Sequence, residues 1–189
     1  MIAIRQEKAS DTTARDALLD AAFGESRFDK ASERLREGCL PADGLSLVAI
    51  EHARLVGTVR LWHVVAGPGR PALLLGPLAV AADARQRGIG SALMDHALCR
   101  ARRRGHRALV LVGDPPFYGR FGFSADKTGA LWLPGSYERH RLLAHELVPG
   151  ALDGARGLIS ATGQPVPKPE LRQLLARFRR GAALTPRAA

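Results

Sequence analysis

Residues 73–123 read LLLGPLAVAADARQRGIGSALMDHALCRARRRGHRALVLVGDPPFYGRFGF, and their order decides the fold. The stretch opens on an apolar run, residues 73–80, interrupted by Gly76-Pro77. A near-continuous apolar run suits a strand covered on both faces. Proline offers no N–H to a sheet ladder, so Gly76-Pro77 predicts a bulge or an end to pairing. Gly88 and Gly90 then stand at the mouth of a segment with helical periodicity that ends near Gly105, a common helix stop. Residues 108–112 are apolar again, which gives strand, glycine turn, helix and strand, followed by an aromatic segment.

A helix start preceded by glycines suits anion binding. The first N–H groups of a helix lack partners and carry a partial positive charge, and glycine lets the backbone close on a phosphate. Two phosphate motifs fail here. The P-loop needs a Lys after its second glycine, and none follows Gly90. The dinucleotide fingerprint needs a third glycine where Leu93 stands, although Asp114 falls near its acidic position.

What remains, Arg85-x-x-Gly88-x-Gly90 after a broken strand, resembles the coenzyme A motif [QR]xxGx[GA] of the GCN5-related N-acetyltransferases. Tyr118-Gly119-Arg120-Phe121-Gly122-Phe123 resembles the Y-x-x-x-G-F segment of that family, at a spacing of one helix, one strand and one loop. Gly76-Pro77-Leu78 and Gly113-Asp114-Pro115 resemble a bacterial branch of predicted acetyltransferases.

The resemblance implies an α/β fold: a mixed, mostly antiparallel twisted sheet of about six to seven strands, with a central splayed pair and flanking helices. It implies acetyl-CoA as cosubstrate, no metal, and direct transfer of acetyl from thioester to an amine. On this sequence the backbone of Gln86, Arg87, Gly88, Ile89, Gly90 and Ser91 would hold the pyrophosphate, with charge from Arg85 and Arg87. Leu78, Ala79 and Val80 would meet the acetyl and pantetheine groups. Tyr118 would donate a proton to the departing thiolate, since a phenol stays protonated at neutral pH. Asp114 is the nearest base in sequence for the incoming ammonium, with His63 and Glu51 as more distant alternatives.

Composition bounds the alternatives. At 189 residues, 46% hydrophobic and 24% charged, the chain predicts one ordinary globular domain. The longest apolar stretch, residues 72–82, is too short to span a bilayer, and residues 1–5 lack a signal-peptide core, so a cytoplasmic protein with no membrane contact is expected. Cys39 and Cys99 make neither a disulfide framework nor a metal site. Of 28 basic side chains four are lysine and 24 arginine, and the net charge is +10. A positive field steers anionic ligands, nucleic acid included, but aromatics at 5% argue against a base-stacking platform. A coenzyme A-binding regulatory module without turnover is the other competing class.

The flanks complete the plan. Residues 1–8 alternate as a first strand, and Ser10-Asp11 can cap a helix to about Phe23. Residues 26–37 predict a second short helix, a region that the resemblance implies borders the acceptor site, and 45–51 and 55–66 predict a hairpin around residues 52–54. His96 falls near the buried stripe of the glycine-led helix, and the arginines at that helix's end suit its dipole. Residues 131–133 and 140–148 complete the strands, closing an acetyltransferase domain over 1–148. Residues 149–189 predict a Gly/Pro-rich linker and a basic amphipathic helix over 170–180, which could pack on its own domain or on a second subunit as a homodimer.

Overall fold

The sheet is assembled on β3, Arg54–Ala66, thirteen residues long and largely buried. The structure, a computed structural model, describes residues 2–167; the predicted helix over 170–180 lies outside them. β2 (Ser46–Glu51) pairs with the first half of β3 through a turn in which His52 and Ala53 both have positive φ, the geometry of a tight hairpin. β1 (Ile2–Gln6) lies outside β2, and β4 (Pro71–Val80) lies on the other side of β3. β5 (Ala108–Val112) and β7 (Leu142–Glu146) follow, giving the order β1-β2-β3-β4-β5-β7. Only β4–β5 and the short pair β6 (Leu131–Trp132) with β8 (Gly157–Ala161) are parallel.

Among the described residues the strands number eight, one more than the expected maximum, and the addition is β8. β8 takes the edge of β3 that β2 leaves free, pairing Val64–Ala66 with Ile159–Ala161. It falls in the segment predicted to be a linker, so the expected domain edge at residue 148 lies inside the sheet. Its pattern is faint because one apolar side chain, Ile159, is buried and the other, Leu158, is half exposed. The backbone of Gly157 bonds Ala130, and Leu40 and Val166 exchange further bonds with Gln164 and Gly38, so the chain is fastened as far as Val166.

Alternation along the strands divides the core between the two faces of the sheet. Leu73, Leu75, Leu109 and Leu111 face α2 (Ile89–Arg103), which buries Ile89, Leu93, Met94, Ala97, Leu98 and Ala101 against them. Leu74 and Val110 face the other way, toward Trp62, Leu131, Leu142 and Ile159. His96, expected near the buried stripe, is exposed. Gly57 lets α2 approach β3 closely: a Cβ there would stand 2.9 Å from Leu93 Cδ1 and 3.1 Å from Ile89 Cγ2. The arginines at the end of α2 serve the fold, Arg100 donating to the Gly44 carbonyl and Arg104 pairing with Asp43.

On the opposite flank α1 (Thr12–Phe23) is held by charge. Glu7, almost wholly buried, bonds Arg15 of α1 and Arg60 of β3. Asp11 accepts both Arg5 nitrogens at 2.7 and 2.8 Å and the Lys8 N–H at 2.7 Å. Instead of a helix over 26–37, the chain makes a 3₁₀ turn, Glu25–Asp29, and then successive turns that bury Ala31, Leu35 and Arg36. Only two apolar side chains anchor that segment, too few for a helical stripe.

The hydrogen bond from Arg5, with the one from the Lys8 N–H, brings the Asp11 carboxyl down to about 2 from 3.8. A depressed carboxyl stabilises the fold above its unfolded pKa, and that contribution fades as pH falls through the folded value. Thermal unfolding of the wild type should therefore lose stability between about pH 4 and 2, and Arg5→Met should reduce that acid dependence. Melting curves across this range check it.

Candidate functional site

β4 and β5 are in register at only two positions, Leu73 with Leu109 and Leu74 with Val110. Beyond them β4 continues along β3 while β5 stays with β7 as far as Val112 opposite Leu142. The expected interruption is there: the β3–β4 register shifts between Val59 and Leu61, opposite Gly76-Pro77. Gly76 has φ +132°, a value suited to glycine, and its carbonyl accepts the Trp62 indole N–H at 2.6 Å. Alternate residues of a strand turn their N–H and C=O to opposite sides, so the parted edges face a gap with unpaired backbone. A cleft of about 710 Å³ occupies that gap.

One end of the cleft is the turn into α2. After a 3₁₀ turn, Ala82–Ala84, the chain passes Arg85 and Gln86 (φ +61°) to Gly88 (φ +76°), the residue before the helix. Ala92 is the first N–H of the helix to be bonded, to Gly88 O at 2.9 Å. The N–H groups of residues 86–91 have no acceptor among the described residues. Gly88 faces open space, and a Cβ on Gly90 would only reach ordinary contact with Phe117 and Val80.

The middle of the cleft lies between Leu78 and Val80 on one strand and Gly113 on the other. Tyr118 rises from α3 (Pro115–Tyr118), a single turn started by two prolines. The Asp114 carbonyl accepts the N–H groups of Phe117 and Tyr118, while its side chain makes no capping bond and lies exposed on the cleft wall. One edge of the Tyr118 ring lies close against Gly113, where an added Cβ would fall 2.1 Å from Cε2. Burial pushes the phenol up to about 12; the Arg141 charge opposes the rise and Asp114 adds to it. Phe117 and Phe123 pack edge-on against the ring.

Of the residues singled out in the sequence, the cleft gathers Leu78, Val80, Arg85, Gln86, Gly88, Ile89, Gly90, Ser91, Asp114 and Tyr118. Two side chains depart from expectation. Ala79 turns to the opposite side of β4 and is buried. Arg87 donates from Nη1 to Glu51 at 2.9 Å, and neither side chain lines the cleft. His63 lines a separate cavity beside His106.

No residue of the far wall was singled out in the sequence, although the resemblance placed residues 26–37 beside the acceptor site. Leu19 and Phe23 of α1, with Arg27, Lys30, Ser32, Glu33 and Arg36 from the turns after it, close the cleft opposite the phosphate-type turn, and Arg141 joins them from the turn just before β7. These residues follow no periodic pattern, and a run of mixed charge reads as a solvated face.

Comparisons with known proteins agree with this geometry. The family model for the acetyltransferase (GNAT) domain matches residues 3–125. The chain is 33% identical to the N-acetyltransferase YhbS of Escherichia coli (strain K12) over 164 residues, covering 82% of this chain and 93% of that protein. A crystal structure of Escherichia coli YhbS in complex with CoA superposes with TM-score 0.71 at 30% identity, covering 85% of this chain and 89% of that one. A GNAT family acetyltransferase from Brucella melitensis, solved with acetyl-CoA, shares the fold at TM-score 0.57 and 24% identity, over 90% of this chain and 94% of its own. The chain belongs to the GNAT family of acetyltransferases.

Proposed function

We propose that this chain transfers acetyl from acetyl-CoA directly to an amine, with the coenzyme in the cleft between β4 and β5. The observation that carries the reading is the gap between these strands, which leads from a set of N–H groups without acceptors among the described residues to a partly buried phenol. That turn fits a pyrophosphate: its donors converge at a helix start, and Gly88 leaves open space above them. The relatives named with CoA and acetyl-CoA support the same ligand. Arg85 supplies the cation at the phosphate end, in place of the pair expected with Arg87.

When bound, the thioester supplies the activated acetyl group. The free edge of β4 at Leu78 and Val80 orients it by backbone hydrogen bonds. Tyr118 keeps its proton throughout the physiological range and holds it where a sulfur leaving group needs one. Asp114, exposed on the cleft wall, takes the proton of an incoming ammonium and passes it to water. A cytoplasmic location goes with this reading, since Cys39 and the exposed Cys99 are unpaired thiols.

The test starts with coenzyme binding. Gly90→Glu fits sterically in the free protein but sets a carboxylate among the phosphate donors, so calorimetry should show acetyl-CoA affinity lower by about 100-fold or more. Unchanged affinity would remove the cleft as the coenzyme site.

Tyr118→Phe should leave acetyl-CoA affinity intact and lower kcat by about 10²–10⁴-fold. Gly113→Ala should reproduce much of that loss without touching the phenol, because the new methyl displaces the ring. With a group titrating at about 12, kcat should show no loss from Tyr118 deprotonation below about pH 11. Thiol release under single-turnover conditions measures all three.

A further inference from the structure

The cleft is basic along its whole length: six cationic side chains line it against two carboxylates, Glu33 and Asp114. Phosphates account for the cations at one end only. At the other end stands Arg36, whose presence there needs its own explanation. It is 7% exposed, and a guanidinium so buried requires compensation by hydrogen bonds and charge. It receives little. Nη2 reaches Ser32 Oγ at 3.3 Å and Glu33 Oε2 at 2.7 Å, whereas Nε is buried with no partner among the described residues. Nη1 lies 3.8 Å from the position a Gly76 Cβ would occupy, so the group sits where β4 begins to leave β5.

Its neighbours deepen the imbalance. Lys30 stacks on the Phe23 ring at 4.4 Å, and burial, then the charges of Arg36 and Arg141, hold it below its ordinary value. Arg27 is neutralised by Asp20 at 2.8 Å, and Arg141 meets Glu138 only at 3.5 Å. Glu33 is the single carboxylate at this end of the cleft.

Position along β4 says which ligand meets this group. The phosphate-type turn follows Val80, and Leu78 and Val80 flank the middle, so Gly76 and Arg36 lie at the opposite end, beyond the reacting carbonyl. This placement rests on the acetyltransfer reading above. We infer that the acceptor is an amine that also carries a carboxylate, bound by Arg36 with Lys30 and Arg141 around it. Nε is sealed from solvent, so Nη1, which has no hydrogen-bond partner among the described residues, is the nitrogen left to meet a ligand. A guanidinium already sharing its charge with Glu33 suits a monoanion better than a phosphate dianion.

The test compares thiol release from acetyl-CoA by the full chain on matched acceptors. These are free amino acids, the same amino acids as carboxamides, C-amidated peptides with an aspartate beside the acceptor amine, and O-phosphoethanolamine. The acids or the aspartyl peptides should exceed the carboxamides in kcat/KM by about 10- to 100-fold, and whichever does so identifies the source of the carboxylate. Arg36→Met should abolish that preference, and Arg36→Lys should restore part of it, while acetyl-CoA affinity by calorimetry stays unchanged in both. Equal rates on acids and amides, a preference for O-phosphoethanolamine, or an unaltered preference in Arg36→Met would overturn the inference and leave acetyltransfer standing. Absence of acetyl-CoA binding in the wild type would instead overturn the acetyltransfer reading. Should Arg36→Met not fold, the acid-to-amide ratio of the wild type decides alone.

Discussion

The parting of β4 from β5 sets where everything else in the cleft lies. Two registered pairs hold the strands together at Leu73 and Leu74, and each strand then obeys its other neighbour. A sheet that splits this way exposes backbone donors and acceptors that must find partners. In an ordinary domain that would be a defect. Here the defect is lined by the start of α2 on one side and by the aromatic turn on the other, and both are seated by contacts made elsewhere. Gly57 allows α2 to descend on the sheet, and Gly113 leaves room for the Tyr118 ring. Two missing side chains thus fix the positions of two groups central to the proposed chemistry.

The second wall of the cleft depends on charge. α1 carries few buried apolar side chains, Leu19 chief among them, and is tied down by Glu7 between Arg15 and Arg60 and by Asp11 on Arg5. Burial raises Glu7 while Arg15 opposes the rise and Asp11 and Asp16 add to it, and the Arg5 hydrogen bond lowers Asp11. A buried pair of this kind contributes modest net stability but penalises any arrangement that separates it. That favours one placement of α1, and with it one placement of Phe23 and the basic turns that follow.

The sheet centre, the glycine turn and the aromatic segment were legible in the sequence because each is local. An apolar run, two glycines at a helix mouth and a tyrosine at fixed spacing leave marks within a few residues of one another. The members of the far wall come from separate turns between residues 19 and 36 and from Arg141, and nothing in their spacing ties them together. β8 was missed for a related reason. Its pairing with β3 is supplied by a partner about ninety residues earlier, and a five-residue strand with one buried apolar side chain carries no pattern of its own. Arg87 shows the reverse limit: local motif spacing set it beside the phosphates, and a long-range pairing with Glu51 of another strand left no mark in that motif.

Trp62 gives the cleft a property of a different kind. Of the two tryptophans, Trp132 is half exposed beneath Arg139, whereas Trp62 is buried with its indole bonded to the Gly76 carbonyl. Indole emission responds to the polarity and hydrogen bonding around the ring, and here that bond is anchored on the bulge where the two strands separate. The protein therefore contains an intrinsic fluorophore wired to its ligand gap, with a second, solvent-facing one as an internal reference. A ligand that shifts the Gly76 carbonyl on the cleft wall should change Trp62 emission, in the unlabelled chain and without a turnover assay.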